Sequence, residues 1–176
     1  MGNSLSNVGQ PSALEVRYSV RILGGARFTV LNGAQANLYL ADYMEYGIVH
    51  LDITEHAVQD LNQLWVEDPA AASAVVVVLE QLEADAGLVD KLATYGDNPV
   101  GQNRINVKRW ENAKSRGNLW RFRILDTPAT VYRVVYGYHW QTRQLCVLAI
   151  VHKDGFNYDD LNSSLAQRIL ADWRAI

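Results

Sequence analysis

Alternation and helical spacing divide the chain into distinct stretches. Tyr18, Val20 and Ile22 alternate with polar or basic neighbours, Gly24-Gly25 offers a turn tolerant of positive φ, and Phe28 and Val30 resume the alternation. This is the pattern of a β-hairpin over 15–31. Residues 32–46 fit a short helix or an irregular crossing equally well. Residues 47–53 read as a strand. Thr54 then stands as an N-cap, with Glu55 in the first turn and Ala57, Leu61, Leu64 and Trp65 at helical spacing. Asp68-Pro69 restarts a helix, with Asp68 as the cap and Pro69 at the first helical position. That helix runs through 74–82 and on towards Leu92, so 54–92 form a helical hairpin. Residues 95–101 are expected to be a loop.

Four strands follow, over 104–110, 119–125, 130–139 and 145–152, with polar connections between them. The fourth is apolar on both parities, which suits a central strand. Residues 161–173 give a last helix. The order is strand, helical hairpin, antiparallel meander, helix. It predicts an α+β domain over 47–176, with a helical hairpin packed on a four-stranded antiparallel sheet and a C-terminal helix. Residues 1–46 form an N-terminal extension, a leader plus the hairpin.

The chain has 176 residues, of which 49% are hydrophobic and 20% charged, which suits one packed domain. Its wholly apolar runs, such as 74–79, are far short of the ~20 residues that span a bilayer, so no membrane is expected. The leader lacks an apolar stretch after a basic start, so no secretory signal is readable and the cytoplasm is expected. Met1-Gly2 with Ser6 fits the permissive myristoylation pattern, and a disordered leader is the preferred reading. A lone Cys146 excludes an internal disulfide and reads as a buried, inert thiol. His50 and His56 have no Cys or carboxylate at metal-ligand spacing, so no metal or other cofactor is assigned. No Gly-rich loop with a following Lys-Ser/Thr is present.

Charge is distributed unevenly. Between residues 100 and 153, ten Lys and Arg face only Glu111 and Asp126, a net of +8; with −3 for the whole chain, the remainder carries −11. Such a block points to a local anion-binding face, with a phosphate backbone as one candidate. Arg121 and Arg123 are two apart on one strand and so share a face, with Trp120, Phe122 and Ile124 on the other. Arg133 shares parity with Val131 and Val135. The apolar strand ends in His152-Lys153, with Tyr158 close behind. Bland alternatives exist for each: solvated strand arginines, an Arg133 ion pair with Asp126 or Glu111, a hydrogen-bonded strand-end histidine, and a packing tyrosine. Tyr132, Tyr136 and Tyr138 read as core or rim. His139 and Trp140 sit at a turn, where an aromatic can stack on a base.

The run from Leu119 to Tyr158 resembles the RelE/HigB branch of the RelE/ParE toxin superfamily. The resembling pieces are Trp120-Arg121-Phe122-Arg123, Tyr132-Arg133-Val134-Val135-Tyr136, the apolar strand 145–151, and His152-Lys153 with Tyr158. The preceding hairpin, containing DITEHAVQDLNQLW, is similar to the family's first half, and the likeness covers roughly 47–160. It implies a RelE-like fold and a metal-independent endoribonuclease that cleaves translated mRNA at the ribosome and is held by a cognate antitoxin. It further implies a catalytic set of Arg121, Arg123 and Arg133 on the phosphate, Lys153 on the leaving-group side and Tyr158 for stacking or proton transfer. His152 is a candidate acid or base. Lys108, Arg109, Lys114 and Arg116 are the candidate RNA contacts. The chain departs from the family in its net acidity, its longer 126–129 turn and its first 46 residues. That extension has three readings: a dimerisation or sheet-extending hairpin, a built-in inhibitor that shields the basic face, or an artefact if Met44 is the true start. The rival function is a non-enzymatic binding protein of the same fold, gyrase-inhibiting, degenerate or from a mobile element.

Overall fold

The structure, a computed structural model, describes residues 18–22, 26–30 and 50–176 except Arg143. The leader, the Gly24-Gly25 turn, residues 32–46 and the question of Met44 lie outside the described residues. The strands are β1 (Tyr18–Ile22), β2 (Ala26–Val30), β3 (His50–Ile53), β4 (Gly96–Val100), β5 (Asn103–Arg109), β6 (Leu119–Leu125), β7 (Tyr132–His139) and β8 (Gln144–His152). The helices are α1 (Glu55–Glu67), α2 (Pro69–Ala84), the short α3 (Val89–Leu92) and α4 (Ser164–Arg174). Together they make an α+β fold. The sheet order is β2-β1-β3-β8-β7-β6-β5-β4.

The expected four-strand meander is present as β5 to β8, but the sheet is larger. Strand β3 joins it parallel to β8, with Ile53 opposite Val147, and β4 pairs antiparallel with β5. Residues 50–176 therefore supply six strands. The described parts of the N-terminal hairpin, β1 and β2, pair antiparallel and meet β3 at Ile22 opposite Ile53. The loop expected over 95–101 is strand β4. Its residues are poor strand formers, and Pro99 is tolerated because β4 is the edge. Gly96 and Gly101, with φ of 98° and 55°, turn the chain in and out of it.

Local signals account for the helical hairpin. Thr54 accepts from the Ala57 amide at 3.3 Å. Asp68 is a one-residue joint: its N–H donates to Leu64 O at 2.7 Å, while its Oδ1 accepts from the Ala71 amide at 3.0 Å. Helix α2 carries the run Val75–Val78, which local propensity disfavours in a helix. Burial overrides this, since Val75, Val76, Val78, Leu79 and Leu82 all sink into the core. The helix ends at Ala84, and α3 follows as a separate short turn.

The sheet has a core on each face. Against α1 and α2 pack Leu51, Ile53, Ile105, Val107, Phe122, Ile124, Val134, Tyr136, Leu145 and Val147. Against Ile169, Leu170 and Trp173 of α4 pack Leu119, Val135, Cys146, Leu148, Ala149 and Val151, together with Trp110 and Phe156. Strand β8 is central, as its two apolar parities require. A bulge at Leu148 of β8, opposite Val135 and Tyr136 of β7, leaves Leu148 and Ala149 both on the α4 side. Helix α4 is tied to α1 by two contacts. Arg168 donates both terminal nitrogens to the Asp60 carboxylate, at 2.6 and 2.9 Å, and Asp60 also accepts from the Ile150 amide. One turn away, His56 Nδ1 lies 2.9 Å from Asp172.

Candidate active site

Among the described residues, the α4 face of the sheet is only partly covered. Helix α4 spans about 16 Å at 1.5 Å per residue, and beyond it β5, β6 and β7 present polar side chains. The antiparallel register sets Lys108 opposite Arg121, and Asn106 opposite Arg123. It pairs Phe122 with Val134, which brings Arg123 and Arg133 together one residue further on. These residues line an open concavity whose wall is Asn106, Lys108, Arg121, Phe122, Arg123 and Arg133. Four of the six are cationic and none is acidic.

Each cation is held differently. Arg121 lies over the Tyr158 ring, 4.0 Å from its centroid. Arg133 donates Nη1 to the carbonyls of Thr130 and Tyr132, both at 2.8 Å, so it is anchored to backbone and not to Asp126 or Glu111. Burial and the neighbouring charge of Arg123 lower the Arg133 pKa from its ordinary value. The Arg123 Nε is buried without a hydrogen-bond partner. Like charges this close repel, and an entering anion relieves that repulsion.

Tyr158 is placed by aromatic packing. Trp110 Nε1 donates to Tyr158 O at 2.7 Å, and the Trp110 and Phe156 rings meet the Tyr158 ring edge-on at 5.7 and 4.4 Å. The Tyr158 hydroxyl is buried, with the Arg121 guanidinium beside it. Burial raises its pKa, opposed by the charge of Arg121, by a hydrogen bond with its guanidinium and by the charge of Arg133. A phenol so placed is protonated at neutral pH; Tyr158 stands behind Arg121 and is not among the residues that line the concavity.

Other expected site residues fall elsewhere. His152 is exposed and meets Tyr132 edge-on at 5.3 Å, and Tyr132 packs on the α1/α2 core. It therefore sits on the opposite face from the arginines. The reason is strand parity: His152 pairs with Tyr132, one residue out of step with Arg133 and Val151. Lys153 is exposed, and its amide donates to Val131 O at 2.8 Å, which extends the β7–β8 ladder by one pair beside the Arg133 end. Of the four expected RNA contacts, only Lys108 lines the concavity. Arg109 points the other way, over Trp120 at 5.9 Å. Lys114 and Arg116 are exposed on the β5–β6 connection, beyond a hydrogen bond from Asn112 to Asp159.

Three residues outside the expected set shape the site. Trp110 seats Tyr158, Asn106 completes the wall, and Asp97 of β4 accepts from Asn106. The alternation of apolar Ile105 and Val107 with polar Asn106 and Lys108 marks Asn106 as facing with Lys108. Among the described residues, no cluster of three or more His, Cys, Asp or Glu side chains is placed to hold a metal. No described helix is long and apolar enough to cross a membrane. A scan of protein-family models and searches of curated proteins and of solved structures return no match to the chain.

Proposed function

We propose that the chain is a RelE/HigB-like toxin, a metal-independent endoribonuclease that cuts translated mRNA at the ribosome and is silenced by a cognate antitoxin protein. The observation that carries this reading is the convergence of Lys108, Arg121, Arg123 and Arg133 on one concavity with no acidic side chain in its wall. The RelE-like assignment of the fold belongs to the same proposal. It is supported by the order of helical hairpin, meander and C-terminal helix, and by the basic residues on the middle strands.

A phosphodiester suits this wall. Guanidinium groups offer planar pairs of donors that match phosphate oxygens, and they stabilise the extra charge of a phosphorane most strongly when already in place. In the proposed step the 2′-oxygen bonds to phosphorus and the bond to the 5′-oxygen breaks, leaving a 2′,3′-cyclic phosphate and a 5′-hydroxyl. The 2′-hydroxyl proton passes to solvent. The 5′-oxygen takes a proton from Tyr158, which solvent then restores. Arg121 and Arg123 bind the phosphate, Arg133 stabilises the phosphorane, and Lys153 serves the leaving-group side. The lack of an imidazole or carboxylate in the wall is what favours the alternative, a binding protein of the same fold without cleavage.

Inducible expression in a bacterial host separates the two, with wild type beside an Arg121→Ala/Arg133→Ala variant and transcript 5′-ends mapped as growth is followed. The nuclease reading expects growth arrest with new ends inside coding sequence, both abolished in the variant. Arrest without new ends would point to the binding protein.

A further inference from the structure

The wall of the concavity is almost entirely a donor surface. Lys and Arg have no acceptor atoms, and Phe122 has neither donor nor acceptor on its side chain. Asn106 is the exception. Its Nδ2 donates to Asp97 Oδ1 at 2.5 Å, and Asp97 also accepts from Arg104 Nη2 at 3.2 Å. A carboxylate accepts only, so Asp97 fixes which end of the amide it holds: the NH2 is turned to β4 and Oδ1 is left as the free acceptor. The register places Asp97, Asn106 and Arg123 in one cross-strand row on one face of the sheet. One neutral acceptor, held in a set orientation, thus stands beside the phosphate-binding cations.

We infer that Asn106, oriented by Asp97, accepts a hydrogen bond from the sugar 2′-hydroxyl next to the bound phosphate, and so selects RNA over DNA and positions the nucleophile. This inference rests on the phosphodiester reading of the concavity. The 2′-hydroxyl is the group by which a protein distinguishes the two polymers at a given site. A cationic wall alone binds both through their shared backbone. Asn106 is a positioning residue here: a neutral amide orients the hydroxyl and leaves its proton to solvent.

The test is the affinity of the full chain for a short single-stranded RNA and for the DNA of the same sequence, by fluorescence anisotropy at fixed salt. A gel after each titration checks that the RNA is intact. Wild type is expected to prefer RNA about fivefold to tenfold, the worth of one hydrogen bond. Asn106→Leu is expected to bring that ratio to one, with DNA affinity and its salt dependence unchanged. Asp97→Ala is expected to tighten both polymers, by removing a negative charge, and yet to shrink the ratio by freeing the amide. Equal loss on both polymers in Asn106→Leu would make Asn106 a structural residue and overturn the assignment. Equal affinity of wild type for RNA and DNA would overturn it too, while sparing the phosphodiester reading. Binding of neither polymer would overturn both.

Discussion

Leu119, Arg121 and Arg123 follow one another at two-residue spacing on one strand and one face of the sheet, yet they belong to different regions. Leu119 is sealed beneath α4 with Val135, Cys146 and Trp173. Arg121 stands at the boundary under Tyr158, and Arg123 lines open space. The sealed half is packed so closely that Trp173 rests directly on Gly137. The bare half concentrates like charges that destabilise one another. Both halves share strands, register and parity. Among the described residues, what separates them is how far α4 and the 156–158 loop reach, so the edge of the C-terminal layer bounds the site.

The comparison can be broken most severely in the bare half. Arg121→Ala with Arg133→Ala is expected to lower RNA cleavage about 10³-fold or more. The thermal midpoint should hold or rise, because Arg123 loses like-charged neighbours. Oligonucleotide cleavage and circular-dichroism melting read the two quantities. A fall in both would show that the cations are part of the packing.

In the sealed half the signs reverse. A Cβ on Gly137 would lie 2.2 Å from the Trp173 ring, so Gly137→Ala should cost about 2–3 kcal/mol in chemical denaturation. Cleavage per folded molecule should not change.

An alkaline titration sharpens the contrast further. Burial, with smaller contributions from Asp52 and Asp172, pushes the Cys146 thiol from 9.0 to about 12. The folded state therefore holds this proton more tightly than the unfolded chain does. The associated stability is complete below pH 9 and is lost as pH climbs towards 12. Between pH 9 and 11 the loss from this group is about 2 kcal/mol. Cys146→Val should flatten that part of the profile in urea denaturation at stepped pH.

The smallest effect on stability is expected at the boundary. The Tyr158 hydroxyl is buried beside the Arg121 guanidinium, so Tyr158→Phe trades one hydrogen bond for relief from desolvation and should shift stability by no more than about 1 kcal/mol. Cleavage should fall at least tenfold if the hydroxyl donates to the leaving oxygen. Unchanged cleavage would restrict Tyr158 to stacking.

Much of this contrast was legible in the chain. The caps at Thr54 and Asp68 are local signals and appear where the residues place them. The shared face of Arg121 and Arg123 follows from strand periodicity alone. Other features escaped for identifiable reasons. Residues 96–100 contain Gly, Asp, Asn and Pro and look like a loop, because pairing with β5 and not propensity makes them a strand. Asp97 was hidden with them, and with it the orientation of Asn106. His152 beside Lys153, and Arg109 beside Lys108, were grouped by closeness in sequence. Neighbours along a strand face opposite sides, so in each pair only one member can share the arginine face. The partial reach of α4 depends on tertiary packing that no local pattern carries.

The Asp60–Arg168 pairing joins residues 108 positions apart. Closing so long a loop before any contact repays its entropy is slow, and no shorter segment of the domain contains both partners. The ion pair therefore adds a long-range tie to a helix that otherwise docks on the neighbouring strands β7 and β8. A nick at the exposed Asp159-Asp160 pair would leave α4 attached by noncovalent contacts alone. Its loss would then follow the concentration of the released fragment, so that dilution itself would uncover Leu119, Val135 and Leu148.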